Sequence, residues 1–445
     1  MMKPFIVVQG PVATRSGYGD HTRDLVHSLI AMDKYDIKII SLPWGACPMD
    51  ALNIKNEKDK LIIDRIATGN INKQPDIFIQ VSVPNEFCHE KMGKPGKFNI
   101  GVTAATETTL VPHSFIEGCN RMDLIIATSE HSRDVIVNTV YDKIDNKTQQ
   151  KQGELKCTTP VEVLFEGLDL DVYLKTDELD KSIVDELKQI PEKFCYLFVG
   201  HWIKGDIGHD RKDVGMMIKT FCETFKGVAK HNKPALILKT SGATFSIIDR
   251  NECLSKIKQV TSVYGDKAPN VYLLHGDLTD NEMNSLYNHP KIKAMVSFTK
   301  GEGFGRPLLE FGITGKPILA SGWSGQLDFL KPENCVLLPG QLTPVHPSAA
   351  DQFLLKESEW FTVNYQYAST VIKDVYKNYK QYHEKSRKQT QYIKDNFTIE
   401  KMTEKFSEIL ETKVAQPVAL TLPNLGNEKA AAPKLNLPKL KKVNV

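Results

Sequence analysis

The sequence predicts two α/β domains, each a mostly parallel sheet covered by helices, facing one another across a cleft. Three observations predict it. The chain has 445 residues, too many for one ordinary core. Apolar residues make up 41% and charged residues 25%, a globular balance. Continuous apolar runs alternate with helix-like stretches in two successive sets, as in sheets buried on both faces.

The first set opens with FIVVQG (5–10), a buried strand rather than a signal peptide. Ser16, Gly17, Tyr18 and Gly19 form a turn before HTRDLVHSLIAM (21–32), a helix with Leu25, Leu29 and Met32 on one stripe. Strands follow at 37–43, 75–82, 97–105 and 123–129, and VEVLFEGLDL (161–170) closes the set. Residues 142–158 are polar and aperiodic and read as an exposed loop. The expected first domain is therefore 1–170, followed by a connection at 171–193.

The second domain is expected at 194–359. Its strands are 194–202, 235–242, 270–278, 292–299 and 315–321, with helices at 214–229, 249–264 and 280–289. Asp280 reads as a candidate N-cap. Residues 360–378 and 385–412 read as mainly helical. The remainder, 413–445, reads as a disordered basic tail rich in Pro, Ala, Lys and Asn.

No segment approaches eighteen uninterrupted apolar residues, so no transmembrane span is expected. The 8 cysteines form no CxxC pair, the pattern of reduced thiols in a cytoplasmic protein. Formal net charge is +3. From Lys413 onward six lysines face one acid, a balance of +5, which leaves −2 for the body. The body lacks the broad positive charge that grips nucleic acid.

Chemistry concentrates at FTKGEGFGRPLLEFGITGKPILAS (298–321), where Glu302 and Glu310 stand eight positions apart around a glycine-rich turn. Carboxylates accept charge-assisted hydrogen bonds from sugar hydroxyls. The wider stretch, VSFTKGEGFGRPLLEFGITGKPILASGWSG, resembles the donor-site signature of glycosyltransferase family 4. LFVGHWIKGDIGHDRKDVGMMIKTF resembles that family's opening of the second domain. TPVEVLFEGLDLDVY resembles its interdomain junction, and GPVATRSGYGDHTRDLV its first glycine-rich loop. The matches run in family order over roughly residues 5–400.

The resemblance implies a GT-B fold of two Rossmann-like α/β/α domains with C-terminal helices crossing toward the first. It implies a nucleoside-diphosphate sugar as donor co-substrate, no prosthetic group, and retention of anomeric configuration. By similarity Glu302 holds hydroxyls of the transferred sugar and Glu310 those of the ribose. Gly303, Phe304 and Gly305 turn backbone amides toward sugar and phosphate, and Pro307 opens a helix. Gly17 and Gly19 lie in the loop that faces the donor from the first domain. His275 and Gly276 fall where the family reads the base through backbone groups, and Lys239 is a further cleft candidate.

Lys212 aligns with the family's phosphate-binding lysine. Its usual arginine partner follows Val-Gly, but here the sequence is Val199-Gly200-His201, and GDIGHD is inserted before Arg211-Lys212. Either Arg211 takes over the missing charge or His201 contributes an imidazole. On the acceptor side many relatives carry a histidine. Here Glu107 follows the strand at 98–105, placed to bond an acceptor hydroxyl or stabilise charge near the reacting carbon. His89, His113 and His131 lack metal-ligand spacing, and no DxD occurs at the donor motif, so a metal-independent enzyme is expected.

The expected activity is transfer of a sugar to the hydroxyl of a glycan, a small molecule or, less favoured by charge, a DNA base. Alternatives are a DNA-base-modifying transferase, a non-catalytic nucleotide-sugar-binding protein and a glycoside phosphorylase.

Overall fold

A computed structural model describes residues 3–89, 93–145, 147–242 and 244–414. The expectation for the basic tail falls almost wholly on residues outside these.

The first domain runs β1 (Phe5–Gly10), α1 (Gly17–Met32), β2 (Asp36–Ser41), α2 (Glu57–Ile63), β3 (Ile77–Val81), β4 (Phe98–Thr103), α3 (His113–Cys119), β5 (Leu124–Ala127), α4 (Glu130–Asn138), β6 (Val140–Ile144), β7 (Lys151–Lys156) and β8 (Val161–Val163). Its sheet is parallel in the order β2-β1-β3-β4-β5-β8. After α5 (Lys181–Lys188) the second domain runs β9 (Cys195–Val199), α6 (Val214–Phe225), β10 (Ala235–Lys239), α7 (Ile247–Thr261), β11 (Val271–Leu274), α8 (Asp280–Asn288), β12 (Ile292–Ser297), α9 (Arg306–Gly312), β13 (Ile318–Ser321) and β14 (Val336–Leu338). That sheet is also parallel, ordered β11-β10-β9-β12-β13-β14. The hairpin β15 (Gly340–Pro344) and β16 (Glu359–Val363) precedes α10 (Tyr365–Lys377), α11 (Tyr379–Asn396) and α12 (Ile399–Lys413).

The central strands of both sheets are buried on two faces, which is why they read as continuous apolar runs. Ile6, Val8, Leu25, Val26 and Leu29 pack β1 under α1, all wholly buried. Each such side chain contributes roughly 1.5–3 kcal/mol of burial. The last helix returns to the first domain. Thr403 Oγ1 bonds Ser28 Oγ at 2.9 Å, and Leu168 N donates to Phe397 O at 2.9 Å. Strand order reverses between β1 and β3 and between β9 and β12. Open α/β sheets bind ligands beyond the strand ends at such switch points.

Four local expectations are corrected. The turn at Ser16–Gly19 is already helix: Ser16 is the N-cap of α1, and its side chain accepts from Gly19 N. Residues 142–158 contain most of the antiparallel hairpin β6–β7. Its strands are largely exposed, so no apolar alternation marked them. Asp280 is the first residue of α8, not its cap. Thr279 caps it, in a reciprocal box with Glu282. Residues 360–363 are strand, not helix, with aromatic and β-branched side chains that suit a pleated surface.

Candidate active site at the interdomain cleft

The loops after β9 and β12 meet at the second switch point. Arg211 and Lys212 come from the first, Glu302 from the second. Lys212 Nζ bonds Glu302 Oε1, and Arg211 Nη1 lies 3.3 Å from Glu302 Oε2. The same Arg211 nitrogen lies 3.3 Å from Glu107 Oε1, on the loop after β4. Two of the three predicted catalytic residues, Glu302 and Lys212, are thus in direct contact, and Arg211 joins the third, Glu107, to them. Lys212 is 7% and Glu302 8% exposed. Burial by itself would raise the Glu302 pKa, but Lys212 and Arg211 overcome it and hold the carboxyl below its usual range. Burial lowers the Lys212 pKa against the pull of Glu302. The two directions differ in which charge they favour. With a second cation on Glu302, we take the ionised pair as the resting state.

The Arg211-Lys212 segment is held from behind. Asp213 adopts φ 52° at the N-cap of α6, and its carboxylate accepts from Tyr365 at 2.6 Å and Lys300 at 3.3 Å. Lys300 also donates to Thr362, and its backbone N–H to Arg211 O at 2.7 Å. Sequence reading missed this brace. Its partners are distant in the chain and match no motif.

The glycines of the turn are required by close approach of the two domains. A Cβ on Gly301 would lie 2.0 Å from Glu107 O, and one on Gly303 2.4 Å from Ala104 O. Gly303 O accepts from Thr128 and Ser132 across the cleft at 3.2 and 3.4 Å. Gly305 takes φ 99° to start α9, whose second residue is Pro307. The Phe304 ring is buried against Phe329 and belongs to the core.

Glu310 is 6% exposed. Arg306 Nε donates to it at 3.1 Å and Tyr287 OH at 3.0 Å. Arg306 also binds Asp24 of α1 and approaches Glu166 at 3.7 Å. Burial, opposed by Arg306, pushes the Glu310 and Glu166 carboxyls up to about 8. This buried cluster joins the domains, and Arg306, Asp24 and Glu166 were not foreseen. The i,i+4 spacing of Arg306 and Glu310 was the one sequence signal, and none links Arg306 to Asp24 or Glu166.

His201 is open to the cleft, with Nδ1 3.2 Å from Ser241 Oγ. The protein packed around it, then Lys212, Arg211 and Lys239, push its pKa down to about 4. His201 is therefore neutral at pH 7, and the second cation on Glu302 is Arg211. His275 Nε2 lies 2.7 Å from Asp249 Oδ2, so this side chain is already engaged. Gly276 takes φ 142°, and its carbonyl accepts from Lys239 Nζ at 2.7 Å. Gly17 has open space before it, whereas a Cβ on Gly19 would strike Thr14 O at 2.2 Å.

His113 and His89 are exposed, and His131 packs edge-on to Trp323 at 4.7 Å. Among the described residues no group of three or more His, Cys, Asp or Glu is placed to hold a metal ion. No helix among them is long and apolar enough to cross a membrane.

No family model matches the chain, and no curated protein does. Solved structures do. Alr3699/HepE of Anabaena, in complex with UDP and glucose, aligns with a TM-score of 0.56 at 12% identity, over 92% of this chain and 99% of that one. Sucrose-phosphate synthase of Thermosynechococcus elongatus aligns at 0.58 and 11% identity, over 92% and 98%. An E. coli trehalose-6-phosphate protein bound with UDP-2-fluoro glucose aligns at 0.60 and 10% identity, over 92% and 99%. The shared architecture is the GT-B fold, two Rossmann-like domains with C-terminal helices.

Proposed function

We propose that the chain is a retaining glycosyltransferase of the family-4 kind, moving a sugar from a nucleoside-diphosphate donor to an acceptor hydroxyl. The observation that carries this reading is the buried contact of Lys212 and Arg211 with Glu302, at a strand-order reversal and against Glu107 of the opposite domain. The ligands named for the aligned structures, UDP and UDP-glucose among them, support a nucleotide-sugar donor.

The charges suggest an exchange. In the free cleft Glu302 occupies both cations. An incoming diphosphate competes for Lys212 and Arg211, and the released carboxylate then accepts hydrogen bonds from donor hydroxyls. In transfer, the bond between the anomeric carbon and the phosphate oxygen breaks as the acceptor oxygen bonds that carbon from the same face. The leaving diphosphate takes the acceptor proton while Lys212 and Arg211 stabilise its charge. Glu107 orients the acceptor hydroxyl or stabilises charge at the reacting carbon.

The test is calorimetric titration with UDP, GDP, ADP and dTDP, followed by hydrolysis of the matching sugar nucleotides. Binding of one nucleotide with slow release of its sugar is expected. Tight binding with no turnover of any donor or acceptor pair would favour a non-catalytic binding protein.

A further inference from the structure

The rim of the first domain carries an aromatic pair that the donor reading leaves unused. Trp44 lies in the segment after β2 and stacks on Tyr18 of α1, centroids 4.2 Å apart and planes 24° apart. Tyr18 is anchored by its hydroxyl, 3.1 Å from Thr103 Oγ1 and 3.1 Å from Ala104 N. Ala104 is the residue that Gly303 abuts, and Glu107 is three positions further on. The pair therefore stands beyond the carboxyl ends of β1, β2 and β4, on the side of the cleft that faces Glu302.

Two features separate Trp44 from a core residue. It belongs to none of the buried apolar clusters among the described residues and is half-buried, while Trp202 and Trp360 are each 1% exposed. Its segment is also held at both ends. Leu42 N bonds Gly10 O, and Ala51 N bonds Ala13 O. Arg15 Nε bridges Asp50 at 3.0 Å and Asp277 of the second domain at 2.8 Å. An amphipathic ring fixed at a cleft mouth offers a flat surface at little cost in side-chain entropy.

Resting on the reading of the cleft as a sugar-transfer site, we infer that Trp44, backed by Tyr18, is the platform on which a pyranose ring of the acceptor lies. The acceptor is then a carbohydrate. A pyranose presents C–H groups on one face that pack on an indole, while its edge hydroxyls remain free to reach Glu107. The charge of the segment favours a neutral ring over a polyanion. Residues 42–54 contain Asp50 and no lysine or arginine.

The test uses the full chain labelled with 5-fluorotryptophan, with the Trp44 resonance assigned through Trp44→Phe. The UDP-, GDP-, ADP- or dTDP-saturated protein is titrated with methyl glucoside, galactoside and mannoside, and with 2′-deoxycytidine. At least one glycoside should shift the Trp44 signal saturably, and deoxycytidine should not. With that glycoside as acceptor, Trp44→Ala should raise KM about tenfold and change kcat less than about threefold, with Trp44→Phe between. A Trp44 signal moved only by deoxycytidine, or by none of the probes, overturns the inference, as does an unchanged KM in Trp44→Ala. Nucleotide binding by the wild-type chain keeps the two readings apart. A protein that binds no nucleoside diphosphate refutes the donor site itself, whereas binding without a Trp44 response refutes the platform alone.

Discussion

Arg211 and Glu107 join the two domains: the guanidinium Nη1 lies 3.3 Å from the Glu107 carboxylate and equally far from Glu302. The donor-side and acceptor-side candidates are thereby coupled through one cation. Removing either acid alters the field felt by the other.

Glu302→Ala should lose transfer by at least about 100-fold, the scale of removing a preorganised electrostatic contact, while the fold survives. Circular dichroism and turnover of the cognate donor check this together. Wild-type turnover in a folded variant would remove Glu302 from the mechanism.

Lys212→Ala and Glu310→Ala should separate phosphate from ribose recognition. The first should weaken the nucleoside diphosphate about tenfold or more and leave the bare nucleoside little changed. The second should weaken both, because the ribose is common to them. Calorimetry on the two ligands distinguishes the outcomes, and equal losses in Lys212→Ala would contradict a phosphate role.

Glu166 should contribute a loss of stability as pH rises from about 5 to 8. Glu166 moves from its ordinary 4.5 to about 8, chiefly through burial. Across that window the folded chain keeps a proton that the unfolded chain has released, so rising pH favours unfolding. One such group contributes a slope of about 1.4 kcal/mol per pH unit. Relative to the wild type, Glu166→Gln should make the melting temperature fall less, or rise more, with pH across this window, and an unchanged slope would show that Glu166 does not titrate there.

Gly301→Ala should destabilise the protein by roughly 1–3 kcal/mol, the usual cost of overpacking. Its Cβ would sit 2.0 Å from Glu107 O, so the loop must shift. Urea denaturation reads the loss. A further drop in turnover beyond Glu107→Ala would indicate that the domains themselves have been spread.

The order of strands and helices was legible because buried parallel strands are continuously apolar and helices repeat every three to four residues. The candidate donor segment was legible because Glu302, the glycines and Glu310 lie on one short stretch. The hairpin at Val140–Lys156 was not, since its strands are largely exposed and carry no apolar alternation.

By itself the sequence determined two α/β domains and the neighbourhood of Glu302, Glu310 and Lys212, because local pattern and short spacing carry that information. It left open whether His201 or Arg211 replaces the missing cation. The tertiary structure sets the Arg211 guanidinium against Glu302 and Glu107, the geometry on which the proposed role of Arg211 rests. It alone also set Arg306 against Asp24 and Glu166, and Trp44 on Tyr18. Coulomb and packing energies depend on distance in space, and chain closure brings together residues whose separation in sequence carries no sign of the contact.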